Sequence, residues 1–121
     1  MINKISLQAI ISGETFSPEV LTIPNSIRVF KKQLKGEEVN FGRYKGNLSS
    51  EGILIIDGNI EEIVQFILSE ILSKFSKKQI ELNLCILVNY EGECNFELSI
   101  DEIENMSKLK IPFGITCYND K

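Results

Sequence analysis

Ile80-Glu81-Leu82-Asn83-Leu84-Cys85-Ile86-Leu87-Val88-Asn89-Tyr90-Glu91-Gly92-Glu93-Cys94-Asn95-Phe96-Glu97-Leu98-Ser99 is the stretch on which the fold turns. Ile80, Leu82, Leu84, Ile86 and Val88 alternate with other residues, the period of a strand with one buried face. Cys94, Phe96 and Leu98 alternate in the same way, so the segment reads as a β-hairpin. Turn length sets its register. A two-residue turn at Glu91-Gly92 would put the two apolar sets on opposite faces. A three-residue turn, Tyr90-Glu91-Gly92 with Gly92 left-handed, pairs Val88 with Cys94, Ile86 with Phe96 and Leu84 with Leu98. The second is expected. Glu93, Asn95 and Glu97 would then share the outward face with Cys85, Leu87 and Asn89.

Working outward, Ser99 and Glu102 form a capping-box pattern that starts a short helix to about Lys108, and Ile111, Phe113, Ile115 and Cys117 alternate in a last strand. On the other side, Asn59 and Glu62 make a second capping-box pattern after an Asp57-Gly58 turn. A helix of about sixteen residues follows, with Ile60, Ile63, Val64, Ile67, Ile71 and Phe75 on one stripe. Ile53-Leu54-Ile55-Ile56 reads as a central strand covered on both faces. Residues 33–50 contain Gly36, Gly42 and Gly46 among charges and read as a long loop or irregular hairpin. A strand over Ile27–Lys32 carries charge on both faces. Ser17-Pro18-Glu19 opens a short helix, and Ile5, Leu7, Ala9 and Ile11 form the first strand. The sum is an α+β domain over residues 1–121, with a mainly antiparallel sheet of about six strands, one long and two short helices, and the order β-α-β-β-α-β-β-α-β.

The chain has 121 residues, of which 43% are hydrophobic and 25% charged, ordinary usage for one domain with its own core. The longest apolar run, Leu84 to Val88, is far below the ~20 residues of a membrane span, and Met1-Ile2-Asn3-Lys4 opens no signal peptide. A cytoplasmic location is the expectation. Cys85, Cys94 and Cys117 show no CxxC spacing and are expected to be buried, structural free thiols, with no bridge from Cys85 to Cys94. With a net charge of −4, a general role on nucleic acid or anionic membranes is disfavoured.

The sequence contains no histidine, which removes the usual general base and a common metal ligand. No cofactor or metal set is indicated, since Walker A, dinucleotide and calcium-loop patterns are all missing. Glu61, Glu62, Asp101 and Glu102 leave carboxylate catalysis as a minor alternative, although acids in first helical turns complement the helix dipole. Binding is favoured over catalysis. The basic stretch Arg28, Lys31, Lys32, Lys35, Arg43 and Lys45, interleaved with Phe30, Phe41 and Tyr44, is the candidate for a small ligand or nucleotide, but Glu37 and Glu38 interrupt it. Glu91, Glu93, Glu97, Asp101, Glu102 and Glu104 form an uninterrupted acidic set. Around Leu87 as an apolar centre, these residues make the candidate surface for a basic protein partner.

Several short motifs occur in a characteristic order: Ile11-Ser12-Gly13-Glu14, Ser17-Pro18-Glu19-Val20, Ile23-Pro24, Lys35-Gly36-Glu37, and Leu98-Ser99-Ile100-Asp101-Glu102 leading to Ile111-Pro112-Phe113 and Tyr118. In this the chain resembles the bacterial domain of unknown function four-two-seven-nine. That family commonly has a tryptophan-containing strand after the Lys-Gly segment, where this chain has Ile53-Leu54-Ile55-Ile56. The resemblance carries no catalytic residues. It implies a bacterial cytoplasmic protein of a kind found near toxin loci, where small acidic domains serve as immunity proteins. The expected function is neutralisation of a cognate toxin, a basic nuclease being one such partner. The alternative is a small-ligand or nucleotide-binding regulatory domain.

Overall fold

The computed structural model describes residues 4–38 and 46–119. Its five strands are β1 (Lys4–Gly13), β2 (Arg28–Gln33), β3 (Gly52–Gly58), β4 (Glu81–Tyr90) and β5 (Phe113–Asn119). They form one mixed sheet in the order β2-β3-β1-β4-β5, antiparallel at every junction except the parallel β4–β5 pair. Two helices complete the α+β fold. The first, α1 (Ile60–Phe66), continues into a wider π-helical turn at Ile67–Ile71, and the second, α2 (Ile100–Leu109), connects β4 to β5.

Alternation decides which face of the sheet is covered. Leu7, Ala9 and Ile11 of β1, Leu54 and Ile56 of β3, and Leu84, Ile86 and Val88 of β4 all point to the helix side and are buried. The stripe Ile60, Ile63, Val64, Ile67 and Ile71 closes over them, joined by Met106 and Leu109 of α2. Burial of each such aliphatic side chain contributes about 1.5–3 kcal/mol. Phe16 seals one end, its ring meeting Phe75 edge-on at 5.1 Å. Its carbonyl comes so close to β3 that a Cβ on Gly52 would lie 2.1 Å from it, which explains a glycine at the first position of that strand.

The helix starts follow local chemistry. The Asn59 side chain accepts the Glu61 amide at 2.9 Å. At Ser99 the full capping box is present, with Ser99 Oγ accepting the Glu102 amide and the Glu102 carboxylate accepting the Ser99 amide. The long helix ends early, because the Leu72 amide bonds back to Ile67, five residues away, before the chain turns. Pro18–Val20 forms one 3-10 turn rather than a helix.

The hairpin does not form. Gly92 has the expected positive φ of 80°, but residues 91–99 leave it outside any ladder, and β5 takes the place beside β4. Leu84, Ile86 and Val88 therefore lie opposite Phe113, Ile115 and Cys117 instead of Leu98, Phe96 and Cys94. Two segments with the same alternation competed for one edge. Residues 113–118 contain no charge and include β-branched Ile115 and Thr116, whereas Glu93, Asn95 and Glu97 favour solvent. Phe96 and Leu98 still pack partly against the core from the loop. This substitution accounts for five strands where six were expected.

Two smaller expectations also change. Asp57-Gly58 is not a turn, because both residues belong to β3. That strand is covered on one face, with Ile53 and Ile55 only half-buried on the other. In β2 the register shifts between Val29 and Lys31, leaving Phe30 in a bulge. The bulge explains why simple alternation gave that strand no clear inward side.

Candidate functional site

The acidic candidates gather on the helix side of the domain. Asp101 and Glu104 of α2, with Asn105 and Lys108, face Glu61 and Gln65 of α1 across a groove of about 220 Å³. Lys108 Nζ donates to Asn105 Oδ1 at 3.2 Å, so the groove's cation is tied to its own helix. Glu91, Glu93 and Glu97 are exposed in the segment leading to α2, where the Glu93 carboxylate accepts from the Asn95 side-chain Nδ2 at 3.1 Å. Glu102 is committed to its cap. Glu62 faces a separate recess beside Thr22 and Ser26, so Glu61, Glu62, Asp101 and Glu102 do not converge as a catalytic set would require.

Leu87 stands elsewhere. It pairs with Ser6 and Thr116 on the uncovered face of the sheet, beside Cys85 and Asn89 in sequence alternation, while α2 lies on the covered face. The expected surface combining Leu87 with Glu93 and Glu97 depended on the hairpin, and without the hairpin the sheet separates Leu87 from the helix acids. The apolar neighbours that α2 does offer are its own. Ile100 is 74% exposed and Ile103 is 54% exposed. Asp101, Asn105 and Lys108 face α1, so at 100° per residue the two isoleucines occupy the flank directed away from it.

The uncovered face carries a second feature. Lys4, Ser6, Arg28, Asp57, Asn89 and Tyr118 line a recess of about 420 Å³, to which every strand contributes. Arg28 and Tyr118 come from opposite edge strands, so the sheet curls enough to bring both to one hollow. Asp57 is buried, and both its oxygens accept from Arg28, at 3.2 Å from Nε and 3.1 Å from Nη2. The guanidinium also lies 4.6 Å above the Phe30 ring. These hydrogen bonds, and then the charge of Asp57, hold the Arg28 pKa above its ordinary value. A buried carboxylate thus fixes an exposed cation in one orientation. Nothing in the sequence pattern marks Asp57, Asn89 and Tyr118 as neighbours, since their meeting depends on strand order.

Phe41, Arg43, Tyr44 and Lys45, the expected lining of a ligand pocket, lie outside the described residues. The three cysteines are free, with Cys85 half-buried and Cys94 and Cys117 exposed, which corrects the expectation that they are packed inside. A hydrogen bond with Cys117 is the main cause that pushes the Cys94 thiol above its usual pKa, and it places the segment before α2 against β5. Among the described residues no group of three Cys, Asp or Glu side chains converges to hold a metal ion, and no helix is long and apolar enough to cross a membrane. Compared with protein-family models, curated proteins and solved structures, the chain matches none.

Proposed function

We propose that this protein is a non-catalytic binding protein of the immunity type, which neutralises a cognate toxin by presenting the acidic, isoleucine-flanked surface of α2. The observation that carries this reading is the meeting of Glu61, Asp101 and Glu104, from helices about forty residues apart in sequence, with Ile100 and Ile103 exposed on the other flank of α2. A groove in which acids outnumber the one lysine, next to an apolar flank of the same helix, suits a basic protein partner, because the charge accelerates encounter and a desolvated apolar contact slows release. A basic nuclease has that character. The resemblance described above points to the same class.

The test is binding to the product of the gene beside its own, followed in real time at about 50 and about 200 mM salt. Asp101→Lys with Glu104→Lys should slow association, as should the higher salt, whereas Ile103→Asp should speed dissociation. Rates unchanged in all three cases, with the fold intact, would dismiss this surface.

A second reading, a regulatory domain for a small anionic ligand, is favoured by the recess around Arg28. Asp57 preorganises the guanidinium, and Lys4, Asn89 and Tyr118 add donors, a combination that suits a phosphate or carboxylate group. Titration with inorganic phosphate against chloride at equal ionic strength checks it. Amide shifts confined to residues around the recess support the reading, and their absence removes it.

A further inference from the structure

We infer that the protein forms a symmetric dimer through the free edge of β5, which joins two five-stranded sheets into one of ten strands. β5 is the last strand in the sheet order, and every residue from Phe113 to Asn119 is exposed. Its outer backbone groups are therefore available to another extended chain. The side chains also favour association. Phe113, Ile115 and Tyr118 are 41%, 48% and 41% exposed, a concentration of large apolar surface on one seven-residue strand.

The occupant follows from symmetry and charge. A two-fold contact requires a patch complementary to itself. Antiparallel pairing of β5 with its copy, centred on Ile115, sets Ile115 opposite Ile115 and Phe113 opposite Cys117. Odd positions meet odd positions, so the helix-side residues of both copies stay on one face and the apolar row continues across the seam. Residues 111–119 contain no charged side chain, although the chain as a whole carries −4. The two copies of β5 can therefore pair without setting like charges directly opposite one another across the seam. The groove between α1 and α2 lies above the sheet rather than along its edge, so each dimer keeps two acidic grooves open.

Sedimentation of the full chain from about 10 μM to about 1 mM tests the inference. The mass should rise from 13.7 kDa toward twice that value and should be unaffected by reductant, because the pairing sets Cys117 opposite Phe113. Ile115→Lys places two ammonium groups face to face at the two-fold axis and should weaken the dimer about tenfold or more. Ile115→Glu should do the same. Mixing these two variants should restore dimers, which also shows that both are folded. A monomer at the highest concentration overturns the inference. A dimer indifferent to Ile115→Lys places the contact elsewhere and overturns it as well, and failure of the mixture to pair rejects the register.

Discussion

The strands that bound the sheet, β2 and β5, are built with opposite surface chemistry. β2 contains Arg28, Lys31 and Lys32 and is bent by a bulge at Phe30, two devices that discourage another strand from adding to it. β5 is straight in register with β4 over seven residues and has no charge. Both edges expose aromatic or aliphatic side chains, but only on β2 are these interrupted by cations and a change of register. The difference shows that the bare edge of β5 is not a general feature of this sheet. It also gives the uneven charge of the chain a place. Residues 1–50 hold seven basic and four acidic groups, and residues 51–121 hold six basic and thirteen acidic. The cations of β2 lie at one border, while the acids of residues 91–104 lie in the crossover that leads to the other.

The comparison can be broken most directly at the cross-strand pair Ile86 and Ile115. Ile86 is fully buried in β4, whereas its neighbour in β5 is about half exposed. Ile86→Ala should cost about 2–5 kcal/mol in urea unfolding, and Ile115→Ala less than about 1 kcal/mol when measured below the dimer's dissociation constant. Equal losses would mean that β5 belongs to the core and is not an open border.

The two border regions also differ in how tightly their glycines are packed. Gly52→Ala, at the start of β3 beside β2, should destabilise by about 1–3 kcal/mol because the new methyl meets the Phe16 carbonyl. Gly114 of β5 has nothing within 4 Å of an added Cβ. Gly114→Ala should therefore be neutral or stabilising by up to about 1 kcal/mol, and thermal unfolding of the two variants side by side distinguishes them.

Removing the anchor of the β2 edge is expected to have an intermediate effect. Asp57→Ala deletes the acceptor of two Arg28 hydrogen bonds and should lower stability by about 1–2 kcal/mol. Because the Arg28 side chain is 70% exposed and screened by solvent, the coupling in a double-mutant cycle with Arg28→Ala should be small beside the loss from Asp57→Ala itself. A larger coupling would make the ion pair a structural lock rather than a way of orienting the guanidinium.

The smallest expected effect concerns the chain leading into β2. Glu70 accepts the Thr22 amide at 2.9 Å, and this bond, followed by that from Lys74, holds its carboxyl below the ordinary pKa. A depressed folded-state pKa contributes stability above the unfolded carboxylate pKa, and that contribution is lost as pH falls through the folded value. Glu70→Gln should lower stability slightly at neutral pH, leave it unchanged below the folded-state pKa, and so flatten the acid limb of the stability profile. A steeper acid limb in the variant would contradict this assignment.

Local patterns in the sequence were sufficient for much of the architecture. The alternation in β1 and β4, the stripe of α1, the capping box at Ser99 and the left-handed Gly92 all follow from interactions within a few residues. The α+β class and the outward position of Leu87 were legible for the same reason. Strand pairing was not, because Cys94–Leu98 and Phe113–Cys117 share one alternation and nothing local says which will reach the edge of β4. That choice moved Glu93 and Glu97 away from Leu87, brought Asp101 and Glu104 to Glu61, and drew Arg28 and Tyr118 into one recess across the curled sheet. Periodicity along a chain records which side of each element is apolar. Which elements become neighbours depends on the free energy of long-range pairing, and for this protein only the tertiary structure decided it.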